Sequence, residues 1–247
     1  AGVAGAVGAA GPTGLTGEVG PQGVSGVAGS ITNLTDALVE DGSIYIGNDP
    51  SGSTDTAQYN LAVGTTALDA VTTGDFNVAL GYDALTSNTS GRYNTATGYR
   101  VLQSNTTGNY NTASGTEALF SNNEGNENTA SGYQALYKNT MGTGNTASGV
   151  QALYNNTTGN YNNASGDFTL YTNNEGNNNT ASGYEALFSN ITGSNNTASG
   201  IQALFSNNEG NENTASGNRA LYKNTTGYSN TAIGSEALFA NTTGSNN

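Results

Sequence analysis

The stretch Gly125–Gly149, GNENTASGYQALYKNTMGTGNTASG, contains Asn-Thr-Ala-Ser-Gly twice, opened by Asn128 and by Asn145, 17 residues later. The same interval runs on in both directions. Asn recurs at 60, 77, 94, 111, 128, 145, 162, 179, 196, 213, 230 and 247 without a miss. A strict period of this length is the signature of a solenoid, in which each repeat is one unit stacked on the next. Eleven repeats fill residues 60–246, with the consensus N-T-A-S-G-Y-E-A-L-F-S-N-N-T-G-N-N. Asn at position 1, Ala at 3, Gly at 5, Leu at 9 and Gly at 15 do not vary among them.

Seventeen residues are too few for a helix-turn-helix unit, and Gly and Asn at fixed mid-repeat positions oppose helices. The pattern predicts two short strands per repeat, at positions 2–4 and 7–10, closed by turns at Gly5 and at the N-x-x-G segment. Stacked coils then form parallel ladders spaced ~4.8 Å, and Asn at positions 1 and 12 stack as side-chain amide ladders. Both invariant glycines are expected at positive φ. The Leu column, Leu68, Leu85, Leu102, Leu119, Leu136, Leu153, Leu170, Leu187, Leu204, Leu221 and Leu238, is the candidate core. Position 7 (Asp83, Arg100, Glu117, Gln134, Glu185, Glu236) reads as facing solvent.

Composition alone suggests disorder: 34% of residues are hydrophobic, 36 are Gly, and Trp and His are absent. The strict register of Leu argues against that. Lack of Cys and His excludes disulfides, thiolate metal sites, zinc sites and the usual catalytic triads. A net charge of −13 with five basic residues opposes binding to nucleic acid or to anionic membranes. No apolar run approaches the ~20 residues of a membrane span. The chain opens mid-pattern and stops on the first residue of a repeat, which reads as part of something longer.

Three zones are expected. Residues 1–30 carry Gly at every third position from Gly2 to Gly29, a collagen-like Gly-X-Y segment, because only Gly fits at the axis of a triple helix. Residues 31–59 read as an adaptor: a short helix over ITNLTDAL (31–38), a strand at SIYI (43–46), and the turn NDPSGS. Residues 60–247 hold the repeats. Triplets commit the molecule to three chains. The thin apolar content of each repeat points the same way, predicting that three chains pack their Ala and Leu columns about one axis. The expected fold is therefore all-β: a homotrimeric parallel β-solenoid or β-roll, preceded by a collagen-like triple helix.

No residues converge into a catalytic, cofactor or metal constellation, so none is assigned and the chain is expected not to be an enzyme. The acidic turns NNEGNEN (Glu124, Glu127, Glu209, Glu212, and Glu175 in a depleted copy) read as solvated rather than calcium-binding. The N-x-S/T triplets at Asn88, Asn105, Asn156 and Asn190 follow from composition. An aromatic column follows the Leu column: Phe120, Tyr137, Tyr154, Tyr171, Phe188, Phe205, Tyr222 and Phe239. Its main reading is structural, and Tyr137, Tyr154, Tyr171 and Phe188 are candidates for stacking on glycans. The aligned Thr-x-Ser of TAS would present a hydroxyl array if its face were open.

NTASGYEALFSNITGSNNTASG (179–200) resembles the head repeats of trimeric autotransporter adhesins, which form a left-handed parallel β-roll. It is also similar to the N-T-A-x-G-x-x-A-L repeats of phage tail-fibre-like proteins. LTDALVEDGSIYIGNDPS (34–51) followed by NLAVGTTALDAVTTGD (60–75) is similar to tail-fibre segments of marine phages, which often contain collagen-like triplets. The resemblance implies a non-enzymatic fibre shaft of a virion, used in host attachment. Its partners would be its own copies, other fibre proteins and a host-surface glycan. A bacterial surface adhesin or extracellular filament is the alternative in the same class, and an ice- or mineral-binding β-solenoid the alternative from another.

Overall fold

The computed structural model describes residues 37–47 and 56–247. The collagen-like triplets, residues 31–36 of the expected helix and the NDPSGS turn lie outside them. One 13-stranded sheet runs through the described chain in sequence order. It begins with β1 (Ala37–Glu40) and β2 (Ser43–Ile46), an antiparallel hairpin pairing Leu38 with Tyr45 and Val39 with Ile44. Asp41 and Gly42, at φ 45° and 75°, supply the two left-handed residues that a tight hairpin turn requires. A strand thus occupies the last two residues of the expected helix. The Asp-Gly pair between two apolar runs was the signal for it.

From β2 onward every pairing is parallel and shifted by one repeat. β3 (Leu61–Val63), β4 (Val78–Leu80), β5 (Thr95–Thr97), β6 (Thr112–Ser114), β7 (Thr129–Ser131) and β8 (Thr146–Ser148) follow one another. β9 (Asn163–Ser165), β10 (Thr180–Ser182), β11 (Thr197–Ser199), β12 (Thr214–Ser216) and β13 (Thr231–Ile233) complete the column. Ala130 lies opposite Ala113 on one side and Ala147 on the other, so position pairs with identical position. Each repeat is one coil, as its period requires.

Only positions 2–4 form a strand, and the expected second strand at 7–10 is absent. Ala135 and Leu136 are both wholly buried, and a strand cannot aim consecutive side chains to one face. Instead Gln134 and Leu136 take left-handed φ of 54° and 52°, which folds the backbone sharply enough to turn both Ala135 and Leu136 inward. The hydrogen bonds alternate with this zigzag. Gln134 N–H donates back to Thr116 at 2.9 Å, while Leu136 and Lys138 donate forward to Ala152 and Tyr154 at 2.9 Å. Further round the coil, Thr140, Met141 and Gly142 all donate to the Thr157 carbonyl, at 3.1, 3.1 and 3.2 Å.

The two invariant glycines answer different needs. Position 5 takes the positive φ expected of it, 132° at Gly132. Position 15 does not; there an added Cβ at Gly142 would lie 2.3 Å from Asn139 Oδ1 and 2.5 Å from the Gly159 carbonyl. Space, not φ, fixes that glycine.

Each chain closes its own core. Leu68 through Leu221 of the Leu column are wholly buried within a single chain, together with the Ala columns at positions 3 and 8. The expectation that three chains must share these columns about a common axis is corrected by this burial. Two columns of Asn fill the rest of the interior, which is how a chain that is 34% hydrophobic builds a core. Leu238, in the eleventh coil, is 38% exposed.

Candidate functional site

Ladders of identical side chains run along the coil stack, and they decide what its surfaces offer. Both Asn ladders are interior. At position 1, Asn128 Oδ1 accepts from the Asn145 backbone N–H at 2.9 Å and from Asn145 Nδ2 at 3.1 Å. Asn145 Nδ2 also donates to the Gly159 carbonyl at 2.8 Å. At position 12, Asn156 Nδ2 donates to Asn139 Oδ1 at 2.8 Å and to the same Gly159 carbonyl at 2.9 Å. One glycine carbonyl per coil therefore ties the two ladders together. Asn88, Asn105, Asn156 and Asn190, the N-x-S/T asparagines, are wholly buried in this arrangement and offer no amide for glycosylation in the folded chain.

Position 7 faces solvent as expected at Arg219 and Glu236, but from Asp83 to Gln202 it is buried or half-buried and carries a third ladder, interrupted at Phe168. Gln134 Nε2 donates to Glu117 Oε2 at 2.8 Å, and Gln151 Nε2 to Gln134 Oε1 at 2.7 Å. Arg100 lies between Asp83 (3.6 Å) and Glu117 (3.9 Å). Farther on, Gln202 donates to Glu185 at 2.7 Å and Arg219 to Gln202 at 3.0 Å. The acids, amides and arginines that share this column were the sequence signal.

The aromatic column forms an unbroken stack of eight half-buried rings from Phe120 to Phe239, with centroids 5.0–5.2 Å apart. Tyr137, Tyr154, Tyr171 and Phe188 each have a ring on both sides at interplanar angles of 3–10°. With both faces turned to neighbouring rings, these four present no open face to a sugar. Burial pushes the Tyr137 phenol above its ordinary pKa, with Glu117 adding to the effect. Burial does the same at Tyr154, reinforced by Tyr137 and Tyr171. Lys138 lies 5.4 Å from the Tyr154 ring, Arg219 5.7 Å from Tyr222 and Lys223 5.3 Å from Phe239. A second, more exposed stack, Tyr59–Phe76–Tyr93–Tyr110, stands at position 17 of the first coils, with centroids 4.9–5.0 Å apart.

The outward strand face changes character along the column. Positions 2 and 4 of β6, β7, β8, β10, β11 and β12 are Thr and Ser, exposed on either side of a buried Ala. In β2, β3 and β4 the same positions are Ile44 and Ile46, Leu61 and Val63, Val78 and Leu80. Glu124 and Glu127 share one turn and Glu209 and Glu212 another, and all four side chains are exposed. Among the described residues no three acidic side chains come together as a metal site would require. No protein-family model, no curated protein and no solved structure matches the chain.

Proposed function

We propose that this chain is the shaft of a non-enzymatic, homotrimeric fibre, with a phage tail fibre used in host attachment as the setting its sequence resembles best. The observation that carries this is the in-register stacking of eleven coils from β3 to β13. Adjacent coils are joined by backbone hydrogen bonds and the position-1 Asn ladder, with an aromatic stack added from Phe120 to Phe239, so bending or stretching the column strains them together. Such a body transmits force and holds a distal part away from its base. Ten Gly-X-Y triplets at the N-terminal end supply the three-chain stoichiometry. A bacterial surface filament of the same build would use the same mechanics.

Sedimentation of the full chain should give a three-chain mass, and electron microscopy should show rods with about 50 Å of length from the eleven coils. A one-chain mass, or compact particles without a rod, would overturn the proposal.

A second reading rests on the exposed Thr and Ser of β6–β12, an array of hydroxyls at the coil spacing that is interrupted at Asn163 of β9. That surface fits an ordered lattice such as ice or a mineral face. Inhibition of ice recrystallisation by the purified chain supports it, and no effect at saturating concentration removes it.

A further inference from the structure

From the contrast along the strand face we infer that the apolar end of the column, β2 to β4, is where each chain packs against two further copies of itself. This deepens the trimeric fibre reading and rests on it.

The outward residues of β2, β3 and β4 are all Ile, Leu or Val, and from β5 the same columns turn to Thr, with Thr95 and Thr97. Outward positions do not contribute to the core of their own coil, which Ala62 and Ala79 fill from the opposite face of the strands. Ile44, Leu61 and Val63 are 36–38% exposed, and Val39 of β1 is 40% exposed beside Ile44. Contact within the chain covers them only in part, and Ile46, Val78 and Leu80 beside them are half-buried. Six aliphatic side chains on three adjacent strands, on a column whose sites from β5 to β12 carry Thr, Ser or Asn and which has one further aliphatic, Ile233, on β13, mark an association surface.

The occupant follows from what adjoins it. The patch lies at the N-terminal end of the column, nearest in sequence to the ten Gly-X-Y triplets, a pattern whose crowded axis requires three chains. In a three-chain fibre the coils that follow those triplets begin side by side, at β1–β4. A three-fold arrangement presents the same face of every chain to the axis, so the surface has to be self-complementary. Aliphatic side chains without charge or directional hydrogen bonds meet that requirement. Farther along the column the need for such contact ends, and from β5 to β12 the sites are Thr, Ser or Asn.

The chain has no cysteine, so a single introduced thiol reports on one site. Full-length Leu61→Cys and Thr107→Cys should be compared, the second being an exposed turn residue off the strand face. On oxidation or with a short bismaleimide, Leu61→Cys should give covalent dimers in a yield independent of protein concentration, and Thr107→Cys should not. Maleimide labelling of native Leu61→Cys should be slow relative to Thr107→Cys. Leu61→Asp should keep the β-sheet circular dichroism while losing the three-chain mass. If the unmodified chain sediments as a monomer, the fibre reading and this inference both fall. If it is trimeric while Leu61→Cys labels freely, or is protected yet never cross-links, or if Leu61→Asp remains trimeric, the face is open or covered by something else, and only this inference falls.

Discussion

Asn128 and Asn145 are bound to each other through one oxygen: Asn128 Oδ1 accepts both the backbone N–H and the side-chain N–H of Asn145, at 2.9 and 3.1 Å. Asn145 repeats the arrangement toward Asn162, at 3.0 and 3.1 Å. A buried amide with all its polar atoms bonded contributes modestly, about 0.5–1.5 kcal/mol per bond, but leaving such groups unpaired costs on the order of 1–3 kcal/mol each. The ladder is held in place by that asymmetry.

Asn145→Ala should therefore destabilise the column by on the order of 3 kcal/mol, since it leaves the buried Asn162 backbone N–H without its acceptor. Asn155→Ala, a half-buried neighbour at position 11, should stay within about 0.5 kcal/mol. Chemical denaturation of the two variants checks this, and equal effects would show that the amide ladder is not what holds the coils.

Leu153 is wholly buried at φ 52°. Leu153→Ala should cost about 2–5 kcal/mol through the lost contacts and the cavity. Leu153→Asp should unfold its coil, because a carboxylate there has no partner. Hydrogen exchange resolved along the chain should show protection lost around residues 145–170. Retained protection in Leu153→Asp would refute the inward placement.

Crowding at position 15 gives a test that φ does not confound. An added Cβ at Gly159 would lie 2.4 Å from Asn156 Oδ1 and 2.5 Å from the Gly176 carbonyl, so Gly159→Ala must push two coils apart. The expected cost is about 1–3 kcal/mol or more, read as a lower unfolding midpoint, against little change in Thr158→Ala. A neutral Gly159→Ala would mean that the coils do not approach as closely as described.

Alkaline pH should loosen the aromatic stack. The phenols of Tyr137 and Tyr154 are raised above their ordinary value by burial. Their neutral form is favoured in the folded chain, so the stabilisation is complete below about pH 10. As pH rises past that value the unfolded chain ionises first, and stability falls until the folded phenols ionise too. Phenolate absorbance should show ionisation continuing beyond the ordinary phenol range, from Tyr137 and Tyr154 and also from Tyr184, which its hydrogen bond to Glu185 raises, with the unfolding midpoint falling above about pH 10. Replacing Tyr137 and Tyr154 with Phe should remove part of that late ionisation and shrink the alkaline loss of stability. Simultaneous titration of all tyrosines would contradict the burial assigned to the stack.

Much of this architecture is written into the 17-residue period. Identical residues at identical spacing can satisfy identical environments only by stacking, so one coil per repeat, in-register parallel strands and columns of Asn, Ala and Leu follow from the sequence. The zigzag at positions 7–10 was legible only in part. Adjacent Ala and Leu announce two consecutive inward residues, but the left-handed backbone that achieves it is chosen by coil closure. Local propensity would never place Leu136 at φ 52°. Closure also decided where the core lies. A linear pattern gives the apolar content of one repeat but not whether the chain can wrap around it. In three dimensions two Asn columns share the interior with Leu, their amides paired along the axis, and one chain suffices to bury them. Tertiary structure likewise turned the aromatic stripe from a candidate sugar platform into a stack whose faces meet one another. The coil spacing brings each ring within contact of the next, a distance that spacing in sequence does not reveal.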